Sequence, residues 1–414
     1  MSSAIFSHTL ANGLVLVGEP TQSVESAAFT FLLPGGCCHD PAAGGGLSAL
    51  TSELMLRGAG PRDSRAWVAD LENLGVERGE SVGVTHATYH GATLRDNLAA
   101  ALGLFADMLR RPHLPADQLE AGRNVCLQEL RAVDDEPSHK LMIELRRRRY
   151  PDPWGRSSLG EERSLRSAAI DDVRQFHQRH YRPGGTILAV AGNFDWQRLV
   201  ELVEQLFGDW QRVPLGEPIG ANGRPAGNHI PFQSTQSHVG IAYPTIPYKH
   251  PDYFQAWAAV GVLSSGSSSR LFTEVRERRG LCYTVYASLH TQRDRAAVLC
   301  YAGTTAQRAQ ETLDVTVGEL RRLGEGIEQA ELNRLKARIK SALIMQQEST
   351  SARSGALARD WYHLDRARTL DEVSKLVDEL SAESINAFLR NNPPRDLLVV
   401  TLGPEPLALP AGIA

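Results

Sequence analysis

One pattern occurs twice in this chain, about 211 residues apart, and the repeat narrows the folds open to it more than any single motif does. The first copy, residues 171–195, reads DDVRQFHQRHYRPGGTILAVAGNFD; the second, residues 382–406, reads AESINAFLRNNPPRDLLVVTLGPEP. Each is an amphipathic helix, a proline-bearing turn and an apolar strand closed by glycine. Val173 and Phe176 correspond to Ile385 and Phe388, and Gly192 to Gly403. At nearly the same offset, LPADQLEAGRNVCLQEL (114–130) parallels IEQAELNRLKARIKSAL (327–343). Similarity spread along both halves points to a duplicated domain.

A chain of 414 residues also exceeds the size at which a single core stops growing. The segment PLGEPIGANGRPAGN, residues 214–228, has three prolines, four glycines and no apolar period, and reads as a linker. Domains are therefore expected at 1–213 and 229–414, with 214–228 between them. Alternation at 27–33 and 81–93 marks strands, and residues 4–20 read as a hairpin turning at Asn12-Gly13. Long helical periods are mixed with these. The simplest layering is α+β: two tandem homologous domains, each an antiparallel-rich sheet on one side and helices on the other.

Bulk properties exclude some partners. A net charge of −4 gives no electrostatic case for nucleic acid or an anionic membrane. The basic run Arg146 to Arg149 reads as a solvated helix end. No apolar run approaches the ~20 residues of a membrane span. The opening MSSAIFSHTL has neither a charged n-region nor a long apolar h-region. Five cysteines, an odd count without zinc-ribbon spacing, fit a reducing setting, so a cytoplasmic location is expected.

Residues 44–60, GGGLSALTSELMLRGAG, have the frame of a metal-binding helix: a glycine-rich entry, an apolar helical period and a stop at Gly58. They contain no histidine. In chain order the landmarks are a hairpin with NGL, a strand ending in PGG, this helix, NVCLQEL, then FHQRHYRP and LAVAGNFD. The second half adds SSSRLFTEVRERRGLCYTVYAS at 267–288. Together these resemble the insulinase (pitrilysin-like) metallopeptidase family, in the short form of about 400 residues that includes the subunits of the mitochondrial processing peptidase. The resemblance spans essentially the whole chain and implies half of a clam-shaped peptidase.

The family signature is H-x-x-E-H on a helix: two histidines on one face bind zinc, and the glutamate activates water. In the family frame Ala49 and Glu53 stand at the histidine positions and Ser52 at the glutamate position. The third ligand position is Glu129, 76 residues after Glu53, and the acid often found seven residues before it is here Gly122. Alanine offers no donor and serine has no proton affinity near neutral pH, so neither zinc binding nor general-base catalysis is expected. Glu53 and Glu129 remain either a pair of oxygens suited to a harder cation or ordinary solvated carboxylates. His86 and His90 fall in a strand pattern, where a spacing of four is ~13 Å. His177 and His180 sit near a helix C-terminus, where histidines usually meet the dipole and solvent.

The second half keeps what the first lacks. Arg276 and Tyr283, seven apart, match the pair that in active relatives reaches the zinc site of the other half-molecule and holds the substrate carbonyl. Gly266 to Ser269 either admits substrate or caps the following helix. The resemblance thus implies a non-catalytic subunit of a heterodimer. Its partner would be a homologous subunit carrying H-x-x-E-H and the zinc, its ligand a peptide; this chain itself would hold no cofactor. The other reading is a catalytically dead scaffold or peptide-binding protein of the same fold.

Overall fold

The computed structural model describes residues 4–42, 44–214, 216–221 and 227–413. Part of the expected linker, Leu215 and residues 222–226, lies outside them. The strands are β1 (Phe6–Thr9), β2 (Val15–Pro20), β3 (Ser26–Leu33), β4 (Gly58–Ala59), β5 (Arg62–Asp63), β6 (Glu77–Val82), β7 (Ala87–Leu94) and β8 (Ile187–Gly192). The second half adds β9 (His229–Pro231), β10 (Gln236–Thr245), β11 (Cys282–Thr291), β12 (Ala296–Thr305) and β13 (Leu398–Gly403). One sheet runs β1-β2-β8-β3-β7-β6 and the other β11-β12-β10-β13-β9, while β4 and β5 form a short ribbon.

Read from their hairpin edges, β6-β7-β3-β8-β2 and β11-β12-β10-β13-β9 have one topology. In each, three antiparallel pairs are followed by one parallel pair. The repeat in sequence is a repeat in structure. Its glycines have a steric cause: a Cβ on Gly192 (φ +122°) would stand 2.3 Å from the Ser26 carbonyl oxygen, and one on Gly403 2.6 Å from Ser237 Oγ. Val173 and Phe176 are buried in one core, Ile385 and Phe388 in the other. The first hairpin turns at Asn12-Gly13 as expected. Gly13 takes φ +92°, and the Asn12 amide donates to the Phe207 carbonyl at 2.7 Å.

The expected α+β layering, a sheet covered by helices, holds in each half, and the structure adds a helix on the second face of each sheet. β8 is buried along its whole length and β12 along most of it, which a sheet with one wet face does not produce. The second face of each sheet carries one helix from the other half of the sequence. Helix Thr350–Leu364 lays Leu357 and Ala358 on Val17, Ile187, Ala189 and Ala191. It also bonds Ser354 Oγ to Thr30 Oγ1 at 2.9 Å and pairs Arg353 with Glu19. On the other sheet, helix Pro137–Arg149 packs so closely that a Cβ on Gly240 would meet Leu141 and Leu145 at 3.3 Å.

The compact units accordingly are Met1–Ala132, Asp152–Gly223 and Met345–Leu370 for one, and Val133–Pro151, Arg224–Ile344 and Asp371–Ala414 for the other. Two smaller expectations also change. Residues 81–93 are not one strand, because the chain turns at 83–86, where the Gly83 amide donates to the His86 carbonyl at 2.8 Å. The basic run is not simply solvated: Arg147 alone of the four is exposed, and Arg148 is paired with Glu144.

Candidate functional site

Helix Leu47–Met55 forms where the sequence frame places it, and a buried carboxylate starts it. Asp40 accepts from the Gly46 amide (2.7 Å), the Ser48 amide (2.7 Å) and the Ser48 hydroxyl (3.1 Å). Burial pushes its pKa up to about 6 against the downward pull of those bonds. The glycine-rich entry exists for close approach: Gly46 has φ +114°, and a Cβ on Gly160 would stand 2.2 Å from its Cα. Gly58 (φ +108°) turns the chain out of the helix into β4.

On this helix each ligand position is closed. Ala49 packs against the core and offers no donor. Ser52 is buried, and its hydroxyl shares a hydrogen bond with Tyr89 (2.8 Å), which in turn bonds Tyr181 (3.0 Å). Burial pushes the Tyr89 phenol up to about 12 and that of Tyr181 well above its ordinary value, so this hydroxyl chain stays neutral and contains no base. The Glu53 carboxylate is engaged by Arg57 one turn on.

Glu129 lies on helix Leu119–Ala132. Much of its side chain is exposed, yet partial desolvation of the carboxyl, then the charges of Glu53 and Glu80, raise its pKa. Gly122 on the same helix lets it approach: a Cβ there would meet Leu54 Cδ2 at 3.0 Å and Glu53 Cγ at 3.5 Å. Ala49, Ser52, Glu53 and Gly122 do not make a donor set for zinc. Among the described residues no group of three His, Cys, Asp or Glu side chains is placed to hold a metal ion.

Three of the four paired histidines have structural partners. His86, in the turn before β7, packs edge-on to the Tyr362 ring at 4.4 Å. His90 projects from β7 on an exposed position. His177 is buried, with Nε2 2.9 Å from the Leu109 carbonyl oxygen. His180 stacks at 4.5 Å on His39, a contact invisible to sequence spacing. Burial and then nearby arginines lower His39 to about 4; burial, then the charge of His39 and nearby arginines, lower His180 to about 3.

In the other unit, Arg276 and Tyr283 are brought together. Arg276 lies on a π-helical turn, Phe272–Glu277, and Tyr283 near the start of β11. The register of β11 on β12 slips between Cys282 and Thr284, so Tyr283 is the residue a bulge throws outward, and it is 82% exposed. The Arg276 guanidinium carbon stands 4.7 Å from the Phe272 ring centre and 5.2 Å from that of Tyr283. Among the described residues it makes no ion pair. The turn is braced from behind: buried Glu274 receives Arg278 at 2.6 Å and Arg279 at 2.7 Å. Phe272 was missed by the sequence reading, although its place four residues before Arg276, one helical turn, is a usable signal. Asp40 was missed because it sits seven residues before the first residue of the helix it caps.

A duplicated α+β chain of this topology, with an open Arg–Tyr pair in its second unit, has the architecture of half a clam-shaped peptidase. The comparisons say of which family. Residues 15–160 match "Insulinase (Peptidase family M16)" and residues 167–339 match "Peptidase M16 inactive domain". The chain belongs to the M16 insulinase family. An uncharacterized zinc protease of Mycobacterium bovis is 29% identical over 410 residues, covering 96% of this chain and 92% of that protein. The uncharacterized zinc protease YmxG of Bacillus subtilis is 25% identical, covering 96% and 98%. A crystal structure of a peptidase M16 inactive domain from Pseudomonas fluorescens superposes with a TM-score of 0.89 at 23% identity, covering 98% of this chain and all of that one. A chain from complex III2 of Candida albicans gives 0.78 at 17% identity, covering 97% and 96%. Among the described residues no helix is long and apolar enough to cross a membrane.

Proposed function

We propose that this chain is the non-catalytic, substrate-binding subunit of a heterodimeric zinc peptidase, working with a homologous H-x-x-E-H subunit in a cytoplasmic setting. One observation carries the reading. The Arg276 guanidinium has no acid partner among the described residues and is held between Phe272 and a Tyr283 that is 82% exposed. A structural arginine would be paired and a structural tyrosine buried. Stacking fixes the plane of the guanidinium, so its N–H fork and the phenol can donate to a peptide carbonyl oxygen as that oxygen becomes negative. Water activation and metal chemistry belong to the partner, since the donors on helix Leu47–Met55 are absent or engaged.

The scaffold reading is favoured by the likeness to a chain of complex III2. Mixing the purified chain with an H-x-x-E-H homologue separates the two. Alone, the chain should hold no stoichiometric zinc and cleave no peptide. Mixed, it should raise cleavage well above that of the homologue alone. Association without any gain in cleavage supports the scaffold, and zinc-dependent cleavage by the chain alone overturns both readings.

A further inference from the structure

A second feature of the Arg276 unit binds nothing that the peptidase reading uses. A cavity of about 350 Å³ opens between the loop Ser265–Ser269 and helix Gln329–Gln347. Arg334 and Arg338, one turn apart on that helix, both line it. Neither has a hydrogen bond or ion pair among the described residues. The acid in the same wall, Glu331, is already neutralised: Arg270 holds both its oxygens at 2.7 Å, and the Glu328 amide donates to it at 2.8 Å. The lining therefore carries a net positive charge: Arg338 has no acid partner among the described residues, and Arg334 feels only a Glu331 that is already bonded to Arg270.

The loop opposite is built from donors. Gly266 takes φ +97°, and a Cβ there would stand 2.1 Å from Arg338 Nη1, so the glycine is what lets the guanidinium lie over the loop. Ser269 spends its amide and hydroxyl on the Gly266 carbonyl, at 3.1 and 2.7 Å, which fixes the turn. The hydroxyls of Ser265, Ser267 and Ser268 and the amides of Ser267 and Ser268 have no partner among the described residues. Two guanidinium forks facing unspent O–H and N–H groups repel a cation and suit a group rich in acceptors.

We propose that this pocket binds an oxyanion, a carboxylate or phosphate group, held by Arg334 and Arg338 against the Ser267 and Ser268 donors. The site stands apart from Arg276 and Tyr283, and its failure would leave their role untouched. Titration calorimetry at low salt, with inorganic phosphate, a capped tetraglutamate peptide and its tetraglutamine counterpart, tests it. Phosphate or the glutamate peptide should bind saturably, the glutamine peptide should not, and affinity should fall with added salt. The stronger of the two anions identifies the source of the group: a free phosphate, or an acidic stretch of peptide.

Arg334→Gln with Arg338→Gln should weaken binding about tenfold or more, because charge-assisted hydrogen bonds are lost. Both side chains are exposed, so the fold should survive, and circular dichroism checks it. Ser268→Glu, which places a carboxylate in the cavity, should have the same effect through the loop. Absence of binding by both anions, or affinities unchanged in both variants, overturns the proposal.

Discussion

Asp40 and Ser52 show what holds helix Leu47–Met55 in place where Ala49 and Ser52 offer no zinc donor. Asp40 supplies the cap, and the free energy at stake is that of an N-terminal carboxylate, about 1 kcal/mol. Its folded pKa, about 6, lies above the ordinary 3.8, so the folded chain holds this proton more tightly than the unfolded chain does. The stability this group contributes is complete below about pH 4 and is lost as pH rises through 6. Asp40→Asn should therefore flatten the pH dependence of stability between 4 and 6, as read by urea unfolding, with any loss against the parent largest at the acid end. Parallel profiles for variant and parent would show that Asp40 does not titrate there. The replacement of the histidines and glutamate by Ala49, Ser52 and Glu53 was plain in sequence, since a residue type either has a donor or lacks one. The bonding of Ser52 to Tyr89 and Tyr181 was not, because those partners come from a strand and a helix end far along the chain.

Helix pairs explain why the site is closed rather than merely empty of ligands. Helix Leu119–Ala132 reaches helix Leu47–Met55 through Gly122, with Leu54 3.0 Å from where a Cβ would stand. Gly122→Glu, which restores the acid common in the family, should force these helices apart and cost about 1–3 kcal/mol of stability, seen as a lower urea midpoint. An unchanged midpoint would mean the contact is looser than the geometry indicates. The same logic governs Phe272. A helical spacing of four was legible, but the bulge that turns Tyr283 outward and the π-turn that carries Arg276 were not, since neither has a residue signature in this stretch.

The exchange of helices between the two halves is the feature of the molecule least visible in its sequence. Sequence marked only the end of helix 137–149, at Arg146 to Arg149, and singled out nothing at 350–364, so neither could be assigned to a sheet. Long-range packing decides that. Burial of β8 on both faces depends on a helix some 160 residues later in the chain. Trypsin should cut at the exposed Arg212, yet the two pieces should stay together on gel filtration and part only in denaturant, because each carries a helix that completes the other's sheet. A fragment of residues 1–213 made alone should be insoluble or unfolded. If it folds by itself with a cooperative transition, helix Thr350–Leu364 is dispensable and the exchange has no energetic weight.

The proposed function rests on Arg276 and Tyr283, and steady-state kinetics of the chain rebuilt with an H-x-x-E-H homologue test it most directly. Arg276→Ala and Tyr283→Phe should each leave association intact and lower kcat by about 10²- to 10³-fold, the loss seen when one donor to a developing oxyanion is removed. Arg276→Lys should rescue little, because an ammonium lacks the planar fork that Phe272 and Tyr283 hold in place. Cleavage within about twofold of the unmutated pair for both variants would contradict the role assigned here and leave the chain as a scaffold.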